Sequence, residues 1–197
     1  MIKRSLTNDK GYTMIELVVV VTIFGFLIAV STVGFSVFFS KFKELSKWAE
    51  LQKSAFECVL TVKNGLSVGT GNSQQFYGIA NAEKLYIQGV NAVTGNTITC
   101  KPPAHEAANM NDQVRFFWDG NYVRATYQHG QISSSYPLYV FPPYKRDNDI
   151  RVSKFRFTRL NSGDETKVVQ LDFEAEMKIS PTKTRKVVYV TKMTTIK

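Results

Sequence analysis

Proline is missing from the first 101 of 197 residues. Its absence excludes a proline break from any helix in that half. Charge is missing from Leu17 to Phe39, where only Thr22, Ser31, Thr32 and Ser36 interrupt an apolar run of 23 residues. Histidine is scarce. His105 and His129 have no ligand-like spacing to cysteines or acids, which argues against a zinc site. No Gly-x-Ser-x-Gly elbow and no phosphate-binding glycine loop occurs, so those enzyme classes are excluded. Asp147-Asn148-Asp149 lacks the alternating spacing and distal glutamate of a calcium loop and reads as a polar turn. No cofactor, metal or enzymatic activity is expected. Acids are outnumbered, 16 against 25 basic residues, for a net charge of +9. Such a surplus attracts polyanions, and it also serves plain solubility.

The apolar run comes first among the features present. A bilayer core about 30 Å thick needs roughly 20 helical apolar residues, so this run can span one. Glu16 stands at its start, where an ionisable group costs about 2.5–3.5 kcal/mol to insert. An acid at that depth is expected to have a partner. Before it lies a short leader with Lys3, Arg4 and Lys10 against Asp9, then Gly11-Tyr12-Thr13-Met14-Ile15. A secretory signal has an apolar core of about 7–15 residues and a small-residue cleavage site. This run is too long for that. A plain membrane anchor explains length and basic flank but leaves Gly11 and Glu16 without a role. Basic residues flanking a span stay in the cytoplasm, which places the rest of the chain outside.

The order of basic leader, glycine, aromatic residue, threonine, two apolar residues, glutamate and span resembles the type IV pilin family. That family includes minor pilins and the pseudopilins of type II secretion. The resemblance covers Met1–Val33. It implies cleavage by prepilin peptidase between Gly11 and Tyr12, followed by N-methylation of Tyr12. Glycine suits the cut, because a backbone without Cβ enters a tight protease site. It also implies that Glu16 guides assembly by pairing with the terminal amine of a neighbouring subunit. Two charges that are costly alone in lipid become tolerable when paired. Gly25 falls where many members carry glycine. Val33 stands where many carry proline, which points to a minor subunit. The implied partners are prepilin peptidase, other pilin or pseudopilin subunits and the inner membrane. The implied location is that membrane, then a pilus or pseudopilus.

Four segments are expected: a leader over 1–11, a transmembrane and assembly helix over 12–39, an amphipathic helical extension over 40–64, and an antiparallel β domain over 65–197. The extension shows Leu45, Trp48, Leu51, Ala55 and Val59 at spacings of three and four. Lys53 and Glu57 lie one turn apart. Asn64-Gly65 reads as the helix stop. Leu66–Gln75 reads as a loop, Lys84–Val90 and Asn96–Cys100 as short strands, and Lys101–Gln113 as a loop. Val114–Trp118 and Tyr122–Gln128 flank a turn at Asp119-Gly120-Asn121 and predict a hairpin. Gly130–Asp149 reads as a long connection.

Val169, Leu171, Phe173, Ala175, Met177 and Ile179 alternate strictly with polar residues. With Ile150–Leu160 before and Lys186–Ile196 after, they predict a three-stranded antiparallel meander with one buried face. A phase slip near Lys154 predicts a bulge. The fold class is α+β and pilin-like, a long N-terminal helix laid by its C-terminal half on an antiparallel sheet.

Cys58 and Cys100 read either as a disulfide, the reading favoured outside the cytoplasm, or as two buried thiols. A bridge closing about 40 residues would stabilise by about 2–4 kcal/mol. Arg151, Lys154, Arg156 and Arg159 form a basic stripe. It reads as a groove for nucleic acid or as the partner of Asp172, Glu174 and Glu176 on the next strand. The second reading is favoured. The aromatic stretch Tyr136–Tyr144 reads as a cap folded onto the core rather than an exposed contact. The function expected is a structural filament subunit. The alternative is a membrane- or filament-anchored module that binds DNA or a surface ligand.

Overall fold

The computed structural model describes residues 12–70, 72–89, 91, 93–107, 109–143, 149–163, 165–180 and 183–195. With no proline to break it, the N-terminal stretch forms one α-helix, α1 (Met14–Asn64). The chain divides into two compact units, Met1–Ser46 and Lys47–Lys197. In the first, every described side chain from 12 to 43 is exposed, apolar ones such as Val20, Phe26, Ile28 and Phe35 included. The helix is long and apolar enough there to cross a membrane.

In the second unit, α1 buries Leu51, Ala55, Cys58, Val59 and Val62. Trp48 packs at the rim of this core. The expected stripe is therefore shifted. Leu45 belongs to the first unit and stays 57% exposed, while Cys58 and Val62 complete the i, i+3, i+4 row. The helix ends as its sequence signals. Gly65 takes a φ of 100° and its N–H bonds the Thr61 carbonyl at 2.8 Å, which is the single-bond form of a left-handed helix cap. Ile79 and Ala80 donate to the carbonyls of Val62 and Lys63 at 3.1 and 2.8 Å. The orphan carbonyls of the last turn are thereby satisfied.

Among the described residues, twelve strands follow. They are β1 (Ser67–Thr70), β2 (Asn72–Gln75), β3 (Lys84–Gln88), β4 (Thr94–Gly95), β5 (Thr97–Lys101) and β6 (Gln113–Trp118). Then come β7 (Val123–His129), β8 (Ile132–Ser133), β9 (Leu138–Phe141), β10 (Ile150–Arg159), β11 (Val168–Ser180) and β12 (Lys183–Thr194). β1 and β2 pair as a small hairpin inside the stretch expected to be loop. Backbone pairing without apolar alternation leaves no periodic signal to read. The six-stranded sheet runs β3-β5-β6-β7-β8, with β9 paired to β7, and the four-stranded sheet runs β12-β11-β10-β4. All these pairings are antiparallel.

The hairpin of β6 and β7 is the predicted one. Asp119 Oδ1 accepts the Tyr122 N–H at 2.9 Å, and Gly120 takes a φ of 98° to close the turn. The meander of β10, β11 and β12 is also present. Its register slips between Val152 and Lys154. The slip has a packing consequence: Val152, Phe155 and Phe157 all point inward although their spacing is three, then two. Phe155 and Phe173 meet edge to face at 6.2 Å, as do Phe141 and Phe173 at 5.2 Å.

Candidate functional site

The N-terminal site begins at Tyr12, which is 87% exposed. Gly11, the expected cleavage residue, lies outside the described residues. Thr13 caps α1 with Glu16 three residues later. Thr13 donates to Glu16 Oε2 from its backbone N–H at 2.8 Å and from its hydroxyl at 2.9 Å. The Glu16 N–H donates back to Thr13 Oγ1 at 3.3 Å. This is a reciprocal capping box, in which the acid satisfies donors that a helix start leaves orphaned. The acid thus has a partner inside its own chain, a role that the Thr-x-x-Glu spacing signals and the sequence reading missed. Both bonds from Thr13 end on Oε2. A carboxylate has about four acceptor positions, so capping and a further cation are compatible.

Cys58 and Cys100 are both free and buried. This corrects the expected bridge. Burial pushes both thiols well above their ordinary range. Exchange needs a thiolate with access to a partner, and neither is favoured here. The two side chains act as small core residues, Cys58 on α1 and Cys100 on β5.

The basic stripe of β10 faces the acids of β11. Arg151 reaches Glu176 at 2.9 Å and Lys154 reaches Asp172 at 3.2 Å. From the other side, Lys186 of β12 pairs with Glu174, and that hydrogen bond raises its pKa. Arg156 is exposed opposite Asp172 and lines a cavity of about 560 Å³ with Trp118, Asn96 and Glu174. Arg159 is half-buried and engaged. The four cations therefore do not form one open stripe. Two of them are held by carboxylates.

The aromatic stretch turns inward at its C-terminal part, over Tyr139–Pro142. Phe141 is fully buried, and Tyr139 lies under the Arg124 guanidinium at 4.7 Å. Tyr136 stays widely exposed, at 82%, and Leu138 and Pro143 are exposed as well; Tyr144 is outside the described residues, as are Asp147 and Asn148. One buried acid escaped the sequence reading. Asp112 is 2% exposed, takes the Gly130 N–H at 2.8 Å and holds His129 Nδ1 at 2.9 Å. It pins the end of β7 rather than a ligand. Among the described residues, no three His, Cys, Asp or Glu side chains gather to hold a metal ion.

Residues 6–32 match the family described as the prokaryotic N-terminal methylation motif. That match is the type IV pilin-like prepilin signal, and it does not distinguish minor pilins from pseudopilins. It spans the Gly11–Glu16 segment and most of the apolar run, and stops before the unit that carries the sheets. No curated protein and no solved structure matched the chain.

Proposed function

We propose that this chain, which carries the type IV pilin-like prepilin signal, is a minor subunit of a type IV pilus or of a type II secretion filament. The observation that carries the reading is the methylation motif over residues 6–32, which runs into a helical half whose side chains are all exposed among the described residues. Prepilin peptidase cuts between Gly11 and Tyr12, and Tyr12 is N-methylated. The precursor is stored in the inner membrane with the leader in the cytoplasm, where its basic residues hold it. The apolar helix then enters the filament core. Glu16 selects the docking register by pairing with a neighbour's terminal amine, a charge pair that lipid makes worth forming. The segment boundaries proposed are 1–11 for the leader, 12–39 for the assembly helix, 40–64 for its extension and 65–197 for the sheet-bearing part.

The test is the N-terminal mass of the protein from cells with and without prepilin peptidase. The expected result is a peptide beginning at N-methylated Tyr12 that disappears in the peptidase mutant. An intact Met1 start in both strains overturns the proposal and leaves a plain anchored protein.

A further inference from the structure

Among the described strands, only β11 contains aspartate or glutamate, and it lies inside the four-stranded sheet. Its acids Asp172, Glu174 and Glu176 are flanked on one side by Arg151 and Lys154 of β10 and on the other by Lys186 of β12. Across this face the charge runs basic, acidic, basic. Among the described residues β12 then ends the sheet, pairing with β11 and with no further strand. It is a twelve-residue edge holding Lys183, Arg185, Lys186 and Lys192 and no acid. An edge of this length offers a row of backbone groups to another chain. At its centre Val188 and Val190 are 52% and 62% exposed, on the same face as Lys186 and Lys192.

The other face of the edge is also unfinished. Tyr189 leans on α1, its hydroxyl bonding the Gln52 carbonyl at 3.3 Å. Phe56 lies 6.2 Å from the Tyr189 ring and remains 50% exposed. A strand added to β12 would lay its inward side chains over Phe56 and complete the apolar layer.

We propose that the β12 edge accepts an extended strand from a different protein, one that carries carboxylates spaced around a pair of aliphatic residues. Opposite Lys186, Val188, Val190 and Lys192, the matching face reads acid, aliphatic, aliphatic, acid, since cross-strand neighbours of opposite charge or shared apolarity stabilise a pair. Backbone bonds supply affinity and the side-chain pattern supplies choice, as in strand addition generally. A second copy of this chain does not fit. Among the described strands none that lies at a sheet edge holds an acid, and β12 against β12 sets cation against cation. The inference holds whether or not the chain is a filament subunit.

The test uses the full chain in detergent micelles and a labelled seven-residue peptide, Glu-Thr-Val-Thr-Val-Thr-Glu with capped ends. Its twin carries lysine in place of both glutamates. The acidic peptide is expected to bind about tenfold tighter than the twin at low salt, and to lose that advantage as salt rises. It is expected to slow amide exchange in β12 and in no other edge. Lys192→Glu should cancel the preference while leaving the melting temperature unchanged, because Lys192 is exposed. Val190→Asp should weaken the acidic peptide by about tenfold or more, adding like charge and removing an apolar contact. Equal affinity for both peptides, no binding of either at millimolar concentration, protection at β3 instead of β12, or a preference that survives Lys192→Glu would each overturn the proposal.

Discussion

The two halves of α1 use the same residue types under opposite rules. In the first unit, Leu27, Ile28 and Val30 are more than half exposed among the described residues. In the second, Leu51, Ala55 and Val62 are at most 1% exposed. An apolar side chain gains by leaving water wherever it goes, at roughly 25 cal/mol per Å². The second half collects that gain on folding. The first half leaves that gain uncollected among the described residues. One continuous helix therefore carries one half that stabilises the fold and one that is long and apolar enough to cross a membrane.

The largest effect that sharpens this contrast is expected at the end of the buried half. A Cβ on Gly65 would sit 1.6 Å from the Phe76 carbonyl oxygen and 2.7 Å from the Gly78 nitrogen, at a φ of 100°. Backbone atoms cannot give way as a flexible side chain would. Gly65→Ala should destabilise the sheet-bearing unit by about 4 kcal/mol or more, the range reached by strained backbone positions. Gly25→Ala in the exposed half meets nothing within 4 Å and should leave that unit's melting unchanged. Next in size is a matched pair of truncations. Leu51→Ala should cost about 3 kcal/mol, from transfer plus cavity. Leu27→Ala should shift the same thermal transition by less than about 0.5 kcal/mol. Equal shifts for both would break the comparison, since they would mean that the first half is buried by its own chain.

How much was legible follows the same division. The apolar run and the alternation in β11 announce themselves because each repeats one physical choice many times. The bulge was legible for a related reason: Val152, Phe155 and Phe157 break period two by one residue, and only an extra residue restores the inward phase. The β1–β2 hairpin was not legible, because backbone bonds leave no mark on side-chain pattern. Nor was the pairing state of Cys58 and Cys100, since spacing says nothing of depth and the structure buries both as thiols. Leu45 was misplaced because helical periodicity continues past the point where cover ends. At the N-terminal site, Glu16 was picked out by its cost in lipid, yet its bond to Thr13 was overlooked.

That bond yields the smallest and most discriminating effect. Thr13 and Glu16 are tied by capping, whereas the proposed role of Glu16 in assembly depends on charge. Two substitutions separate these roles. Thr13→Ala removes the cap and keeps the carboxylate. It should loosen the first turn by about 1 kcal/mol, read as roughly fivefold faster exchange of first-turn amides in micelles. Glu16→Gln keeps a group that completes a capping box and removes the charge. Its amides should exchange nearly as in the parent. Filament incorporation, measured by the fraction of the subunit in sheared or cross-linked filaments, should then fall severalfold for Glu16→Gln and change by less than about twofold for Thr13→Ala, because a neighbour's amine needs a charge and not a cap. The reverse ranking would make the acid a helix-starting residue, and would remove charge pairing from the account of how the exposed half finds its place.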